Sequence, residues 1–423
     1  LPEKHWFSTQ TKRPVANERR KAQTMRILIS TWSLQVGGGE VLAMNLAAEL
    51  HRRGHTVFVF NQRAELIDHE LVARLLPPEV KVLSMADNPL TSFWAYKVNA
   101  LQQRLGRPAI FYRQRQEAYL AACLQQHRIE LVSSHATFSD AICAPVIQRL
   151  GLPMVITEHG EYNKFLFEGR CDFLPVLRSA QRILTVSNYC QLNLEHAFSD
   201  LPPIQTVYNG VVTKPYVAAD VRRALGISPE AFVFGMVARG IAEKGWEYAV
   251  QAFRTVRALA QERPVRLVLV GGSDYLKQLQ AECAADTDIL FTGQVPNPDF
   301  YMAGFDVGLL PTYFRAEALP LAIIEYMVSG KPSIATRVGG IPELLEPTSG
   351  PTGILIDVDA ATYIPSLAML TAAMRQYYLE PSLYAAHKNN ALEASQRFTM
   401  PACAAQYEEA FQTAVGASHS TAA

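Results

Sequence analysis

The chain has 423 residues, of which 18% are charged and 49% hydrophobic, and its 39 basic side chains are balanced by 39 acidic ones. Zero formal net charge excludes the general attraction to nucleic acid that a basic chain carries, and no apolar run reaches the ~20 residues that span a bilayer. The length exceeds one ordinary core and implies two domains of about 200 residues each.

Residues 1–24 are polar and rich in Lys, Arg and Gln, with neither an apolar core nor a cleavage site. They read as a disordered leader or an appended extension rather than a secretory signal. From Met25 onward, apolar and β-branched runs alternate with helical patterns, which predicts a parallel sheet covered by helices on both faces. Strands are expected at 26–31, 56–60, 80–84, 130–134, 153–157 and 182–187. A turn-rich stretch from Ser199 through Pro202-Pro203 to Asn209-Gly210 then reads as an interdomain linker. The pattern restarts with strands at 232–238, 266–272, 289–293, 307–311, 332–336 and 353–357. The expected domains are therefore 25–207 and 208–390, with 391–423 forming a C-terminal helix and tail. The six cysteines, Cys123, Cys143, Cys171, Cys190, Cys283 and Cys403, have no metal-ligand spacing and read as buried thiols of a reducing compartment.

The most informative phrase runs from Phe314 to Pro342. It places Glu317 and Glu325 around a proline that opens an apolar helix. Pro320 suits the first helical position, and Gly330 before Lys331-Pro332 is a helix stop. Glu317 then lies in the loop before the helix, Glu325 within it, and the N–H groups of Ala318 and Leu319 face any anion at the helix N-terminus. A loop offering a carboxylate to hydroxyls and amides to phosphate suits a sugar carried on a diphosphate. After the strand at 232–238 come Arg239 and Lys244-Gly245, two cations at a strand end where a diphosphate leaving group would gather charge.

This sequence resembles the retaining, nucleotide-sugar-dependent glycosyltransferases of GT-B fold, through the Glu317-to-Glu325 spacing and the segment Gly339-Gly340-Ile341-Pro342-Glu343. The resemblance extends from about Met25 to the last helices. It implies an α/β architecture of two Rossmann-like, doubly wound domains facing a central cleft, acceptor on the first and donor on the second, with the C-terminal helix packing back on the first domain. The aromatics Tyr377, Tyr378, Phe398, Tyr407 and Phe411 are available to anchor that helix. The resemblance further implies that Arg239 and Lys244 hold the donor phosphates, Glu325 the ribose, and Glu317 hydroxyls of the transferred sugar.

In the first domain, Gly37-Gly38-Gly39-Glu40 follows the first strand. Gly38 and Gly39 can approach a phosphate or the donor sugar closely, and the spacing does not match a dinucleotide fingerprint. Gly271 and Gly272 close another strand at the donor edge, where a close approach to base or ribose and a plain tight turn are both open readings. His135 and His159 follow strand ends, with His135 expected at the reaction centre and His159 beside it. Glu158 and Glu161 are candidate partners of acceptor hydroxyls. Asp286-Thr-Asp288 and Asp357-Val-Asp359 imitate a metal motif but sit as loop acids, so no metal is expected.

Residues 91–116 interleave Phe93, Trp94, Tyr96, Phe111 and Tyr112 with Lys97, Arg104, Arg107, Arg113 and Arg115. This suits a peripheral contact with an anionic membrane, or buried aromatics with solvated arginines. The expected activity is transfer of a hexosyl unit from UDP- or GDP-hexose to a glycan or lipid-linked acceptor, in cell-surface polysaccharide or lipopolysaccharide biosynthesis. No cofactor beyond the donor and no nucleic acid partner is implied; the expected location is cytoplasmic, with peripheral contact at the inner face of the cytoplasmic membrane. A sugar-nucleotide epimerase or hydrolase of the same fold, and a non-catalytic glycan-binding protein, are the alternatives.

Overall fold

The structure, a computed structural model, describes residues 24–421 apart from 64, 86–88, 213 and 261. All but the last residue of the expected leader at 1–24 thus lies outside the described residues. The first sheet contains β1 (Arg26–Thr31), β2 (Thr56–Asn61), β3 (Lys81–Ser84), β4 (Leu131–Ser134), β5 (Met154–Glu158), β6 (Arg182–Thr185) and β7 (Ile204–Thr206). The second contains β8 (Phe232–Val237), β9 (Val265–Val270), β10 (Ile289–Gly293), β11 (Val307–Leu310), β12 (Ser333–Thr336) and β13 (Gly353–Ile356). Their orders are β3-β2-β1-β4-β5-β6-β7 and β10-β9-β8-β11-β12-β13. Every pairing is parallel, as in Ile27 with both Val57 and Leu131. Parallel strands covered on both faces favour near-continuous apolar side chains, which is why Ile27–Ile29 of β1, Met154–Ile156 of β5 and Phe232–Phe234 of β8 are apolar and buried. The architecture is two doubly wound domains facing a cleft, as the resemblance implies.

The chain order reverses between β1 and β4 in one sheet and between β8 and β11 in the other. At such a switch point the loops leave in opposite directions and open a crevice at the carboxyl ends of the strands. Both crevices carry the chemistry-bearing residues described below.

The expected linker is shorter than the sequence suggests, because Ile204–Thr206 pairs with β6 at Ile183, Leu184 and Thr185. A three-residue edge strand, only half buried and preceded by Pro202-Pro203, has too few positions to show a pattern. The chain then crosses between domains twice, side by side: Val211 N–H donates to Phe398 O (2.9 Å) and bridges to Thr399. A Cβ on Gly210 would lie 2.7 Å from Met400 Cα, so glycine is needed for the two crossings to touch.

The helix Met400–Thr421 completes the first domain's core, with Cys403, Tyr407 and Phe411 packed among Ile27, Leu46 and Val155. Of the aromatics offered as anchors, Tyr377, Tyr378 and Phe398 belong instead to the second domain's core. They precede the second crossing and pack on the sheet beside them. The anchor is polar as well: Glu408 accepts from Arg53 Nε (2.8 Å) and His55 Nε2 (2.6 Å). Met25 N–H donates to His55 Nδ1 (3.1 Å), which fixes the tautomer. All six cysteines are free and five are buried, whereas Cys171 is exposed on the turn before Phe173, so the reading of six buried thiols fails there. Among the described residues no helix is long and apolar enough to cross a membrane.

Candidate functional site

The two switch points face each other across a cleft of about 530 Å³. On the second domain, β8 ends in a loop that carries Arg239, exposed, and Lys244, buried. Gly245 follows with φ +84°, and a Cβ there would fall 1.9 Å from Pro311 O. Only glycine therefore lets the loops after β8 and β11 close on each other. That closure brings Lys244 Nζ to 2.5 Å from Glu317 Oε2, with Thr312 Oγ1 at 3.3 Å from the same oxygen. The Phe314 ring lies 5.3 Å from Lys244 Nζ and 5.8 Å from the Arg239 guanidinium, a face that favours cations.

Gly339 and Gly340 explain the shape of the Glu317 loop. Gly339 has φ +58°, and a Cβ on it would meet Glu317 O at 1.8 Å, while one on Gly340 would meet Ala318 O at 2.0 Å. Gly340 N–H donates to Glu317 O (3.0 Å), so this glycine pair grips the backbone of the loop. The helix Leu321–Val328 begins one residue later than the sequence suggests: Pro320 is its N-cap, with an extended ψ of 118°. Among the described residues the N–H groups of Ala318 and Leu319 make no hydrogen bond, and both residues line the cleft.

The first-domain wall comes from the loops after β1, β4 and β5. Gly38 approaches Leu321 of the opposite domain to 3.7 Å from where its Cβ would be, and Gly39 lies 3.5 Å on the same measure from the His159 ring. His159 Nε2 meets His135 Nδ1 at 3.2 Å, and His135 Nε2 meets Ser133 Oγ at 3.0 Å. His159 is thus the half-exposed ring and His135 the buried one behind it, stacked on Tyr407 at 6.0 Å. Burial pushes His159 down to about 4; burial and then its neighbour push His135 well below the usual range. Both rings are neutral near pH 7 and serve as hydrogen-bonding groups rather than cations.

Glu161 lines the cleft and accepts from Thr137 Oγ1 (2.7 Å). Glu158 is not available to an acceptor. It is buried beneath the helix Glu161–Phe167 and accepts from Tyr162 N–H (3.1 Å), Asn163 N–H (2.9 Å) and Asn163 Nδ2 (2.9 Å). A carboxylate in that position satisfies the otherwise unpaired donors of a helix first turn.

The structure therefore brings Glu317, Arg239, Lys244, His135, Gly38, Gly39, Ala318 and Leu319 to one cleft. Three expected ligand residues do not line it. Gly271 and Gly272 let neighbouring strand ends meet: a Cβ on each would lie 2.6 Å from Ala238 O and Gln294 Cβ respectively. Glu325 lies one turn beyond Leu321 and Ala322, recessed and half covered, where enclosure by protein and then Asp299 push its carboxyl up to about 8. Trp32, Phe138, Lys164 and Asn209 line the cleft without having been read as site residues. Trp32 follows β1 directly, a signal that strand-end reasoning could have used; Asn209 was hidden in an apparent turn. The Asp pairs are structural: Asp286 and Asp288 pair with Arg254, Arg257 and Arg266, and Asp359 caps its own turn through Thr362 N–H (2.8 Å). Among the described residues no three His, Cys, Asp or Glu side chains gather in a metal-holding group.

Two facing Rossmann-like domains with paired switch points define the GT-B class, and comparison with known proteins agrees. Residues 36–215 match the model of Glycosyltransferase Family 4, and residues 231–372 match that of Glycosyl transferases group 1. The chain belongs to the glycosyltransferases of GT-B fold. It is 25% identical over 351 residues to N-acetyl-alpha-D-glucosaminyl L-malate synthase of Bacillus anthracis, covering 79% of this chain and 84% of that protein. It is 30% identical over 230 residues to the lipopolysaccharide core biosynthesis mannosyltransferase LpsB of Rhizobium meliloti, covering 50% of this chain and 62% of that protein, so it spans about three fifths of that relative's length. Among solved structures, Anabaena HepE in complex with UDP-glucose superposes with a TM-score of 0.70 at 21% identity, over 92% of this chain and all of that one.

The raised Glu325 carboxyl gives a pH test. An acid whose folded value is raised costs nothing below its ordinary value of 4.5; the cost grows between 4.5 and about 8, where only the unfolded chain is ionised, and stands in full above about 8. Glu325→Gln is expected to raise the unfolding midpoint near pH 9 by about 2 °C or more, with no gain near pH 4. An equal change at both pH values, read by differential scanning calorimetry, would contradict the assignment.

Proposed function

We propose that this glycosyltransferase moves a hexosyl unit from a nucleoside diphosphate hexose, UDP- or GDP-linked, to a hydroxyl of a glycan or lipid-linked acceptor, with retention at the anomeric carbon. The observation that carries this reading is the buried Lys244–Glu317 pair beside Arg239, facing the Gly37–Gly39 loop across the cleft. Two opposite charges held 2.5 Å apart in a water-poor site are matched by a ligand that is anionic at one end and rich in hydroxyls at the other. Donor binding splits the pair: the diphosphate takes Lys244 and Arg239, and hydroxyls of the sugar take Glu317. The relatives support donor and acceptor class by their names, one a mannosyltransferase of lipopolysaccharide core biosynthesis, and the HepE structure holds UDP-glucose.

In this scheme the bond between the anomeric carbon and the phosphate oxygen breaks as the acceptor oxygen attacks the same face. The acceptor proton passes to the departing phosphate. Arg239, Lys244 and the N–H groups of Ala318 and Leu319 stabilise the charge that the phosphate gains, an electrostatic contribution that operates without a strong protein base. The neutral His159 offers a hydrogen bond to the sugar, with His135 holding its ring. Glu325, recessed one turn beyond the cleft wall at Leu321 and Ala322, takes the ribose where the nucleoside extends past those residues, and no metal or cofactor takes part.

The helix Pro89–Arg104 supplies a surface suited to a lipid-linked acceptor. Trp94, Lys97, Leu101, Arg104 and Leu105 fall along one stripe at helical spacing, and Trp94, Leu101 and Leu105 are 56–63% exposed. An apolar stripe flanked by cations lies at an anionic lipid interface. Sedimentation with vesicles containing anionic phospholipid is expected to carry the protein down. Trp94→Ser with Leu105→Ser is expected to weaken that binding, and equal binding by both proteins would rule the surface out.

Arg239→Ala and Lys244→Ala are each expected to lower turnover by about 10²–10³-fold, the loss typical of one donor of transition-state charge stabilisation. Near-normal transfer by either folded variant would move the phosphate site elsewhere. Proton NMR of the first-formed glycoside is expected to show the donor's anomeric configuration, and an inverted product would separate this chain's chemistry from that of the retaining enzymes.

A further inference from the structure

Asn209 lies on the cleft wall with a side chain that the protein leaves unpaired. It is 5% exposed and its Oδ1 has no hydrogen-bond partner. Of the described residues with such an orphaned buried side-chain atom, Asn209 alone lines the cleft. Buried carboxamides in folded proteins are nearly always paired, and one that is not calls for a specific reason.

The backbone around it is held firmly. Val207 N–H donates to Thr185 O (2.8 Å) and Val211 N–H to Phe398 O (2.9 Å), while the Tyr208 hydroxyl donates to Glu343 Oε2 (2.8 Å). Asn209 therefore sits at the end of β7, next to β6. The end of β6 packs against the donor loop: a Cβ on Gly340 would lie 3.0 Å from Ser187 Cβ and 2.0 Å from Ala318 O. Val186, Ala318 and Leu319 share this part of the lining and are apolar.

We infer that Asn209 reads a hydroxyl of the transferred sugar, supplying the donor-and-acceptor pair that a hydroxyl matches. The inference rests on the donor reading given above. Phosphate is the wrong ligand here, because the cleft's diphosphate-binding cations, Arg239 and Lys244, belong to the β8 loop. A carboxamide offers an oxygen at one end and an amino group at the other, and the broad two-fold torsion about its last bond exchanges them at the cleft face. A sugar lacking the matching hydroxyl would leave the amide unpaired again, which is the physical basis of strong discrimination.

Asn209→Leu keeps the volume and removes the amide. Because no protein partner is lost, its unfolding midpoint is expected to equal or exceed that of the wild type, and its affinity for bare UDP or GDP to stay within about twofold. UDP-glucose, UDP-N-acetylglucosamine and GDP-mannose are assayed to find the donor that is turned over, followed by its monodeoxy analogues. With the wild type, one deoxy donor is expected to lose kcat/KM on the order of 10²-fold. Asn209→Leu is expected to show that loss with the parent donor and no further loss with that analogue. Additive penalties, or a lowered midpoint with transfer intact, would overturn the inference about Asn209 while the donor reading stands. Failure of the wild type to bind either UDP or GDP would overturn the donor reading, and this inference with it.

Discussion

A buried ion pair between side chains 73 residues apart, Lys244 and Glu317, organises this molecule's working face. Removing two charges from water costs several kcal/mol for each, and such a pair is a poor source of stability. Its value lies in what it requires. The loops after β8 and β11 must approach until Gly245 touches Pro311 O, and Gly339-Gly340 must grip the Glu317 backbone from the other side. Three glycines at two distant places in the chain thus serve one contact. Within the cleft the pair keeps both buried charges satisfied.

The same contact depends on how the domains are held. Glu343, from the helix Ile341–Leu345 of the second domain, accepts from Asn188 N–H (3.0 Å) and Tyr189 N–H (2.8 Å) at the start of the first domain's helix Asn188–Ala197. It is the last residue of the segment whose glycines hold Glu317. One short stretch therefore shapes the donor loop and ties it to the opposite domain. Arg397 adds a hydrogen bond to Glu343 O (2.8 Å) and stacks on Tyr208 at 5.3 Å, joining the two interdomain crossings. A further contact between the domains runs from Arg74 Nη1, which donates to Pro296 O (2.6 Å).

The histidines show how environment alters a residue that sequence can only nominate. A strand-end histidine in a cleft suggests charge or proton transfer. Enclosure instead keeps His135 and His159 neutral, linked through Nδ1 and Nε2, with only His159 half open to ligand. Glu158 makes the same point in reverse: an acid beside the cleft is spent on the backbone of its own helix.

Much of the architecture was legible in the residues, for reasons of local physics. Twelve strands announced themselves through short segments rich in apolar and β-branched residues, which a covered parallel sheet favours, and the helix stop at Gly330 because its φ of +66° suits glycine. The spacing of Glu317 and Glu325 around Pro320, and the cations after β8, were readable as candidate site features because residue type and strand-end position are both local properties. The three-residue β7 was not legible, since its pairing depends on β6 and not on its own pattern. Nor were the sheet orders, the partner of Lys244, the withdrawal of Glu325 from the cleft wall or the unpaired amide of Asn209. Each of these is decided by what lies across space, and a sequence carries periodicity and composition but not the distance between residues far apart along it.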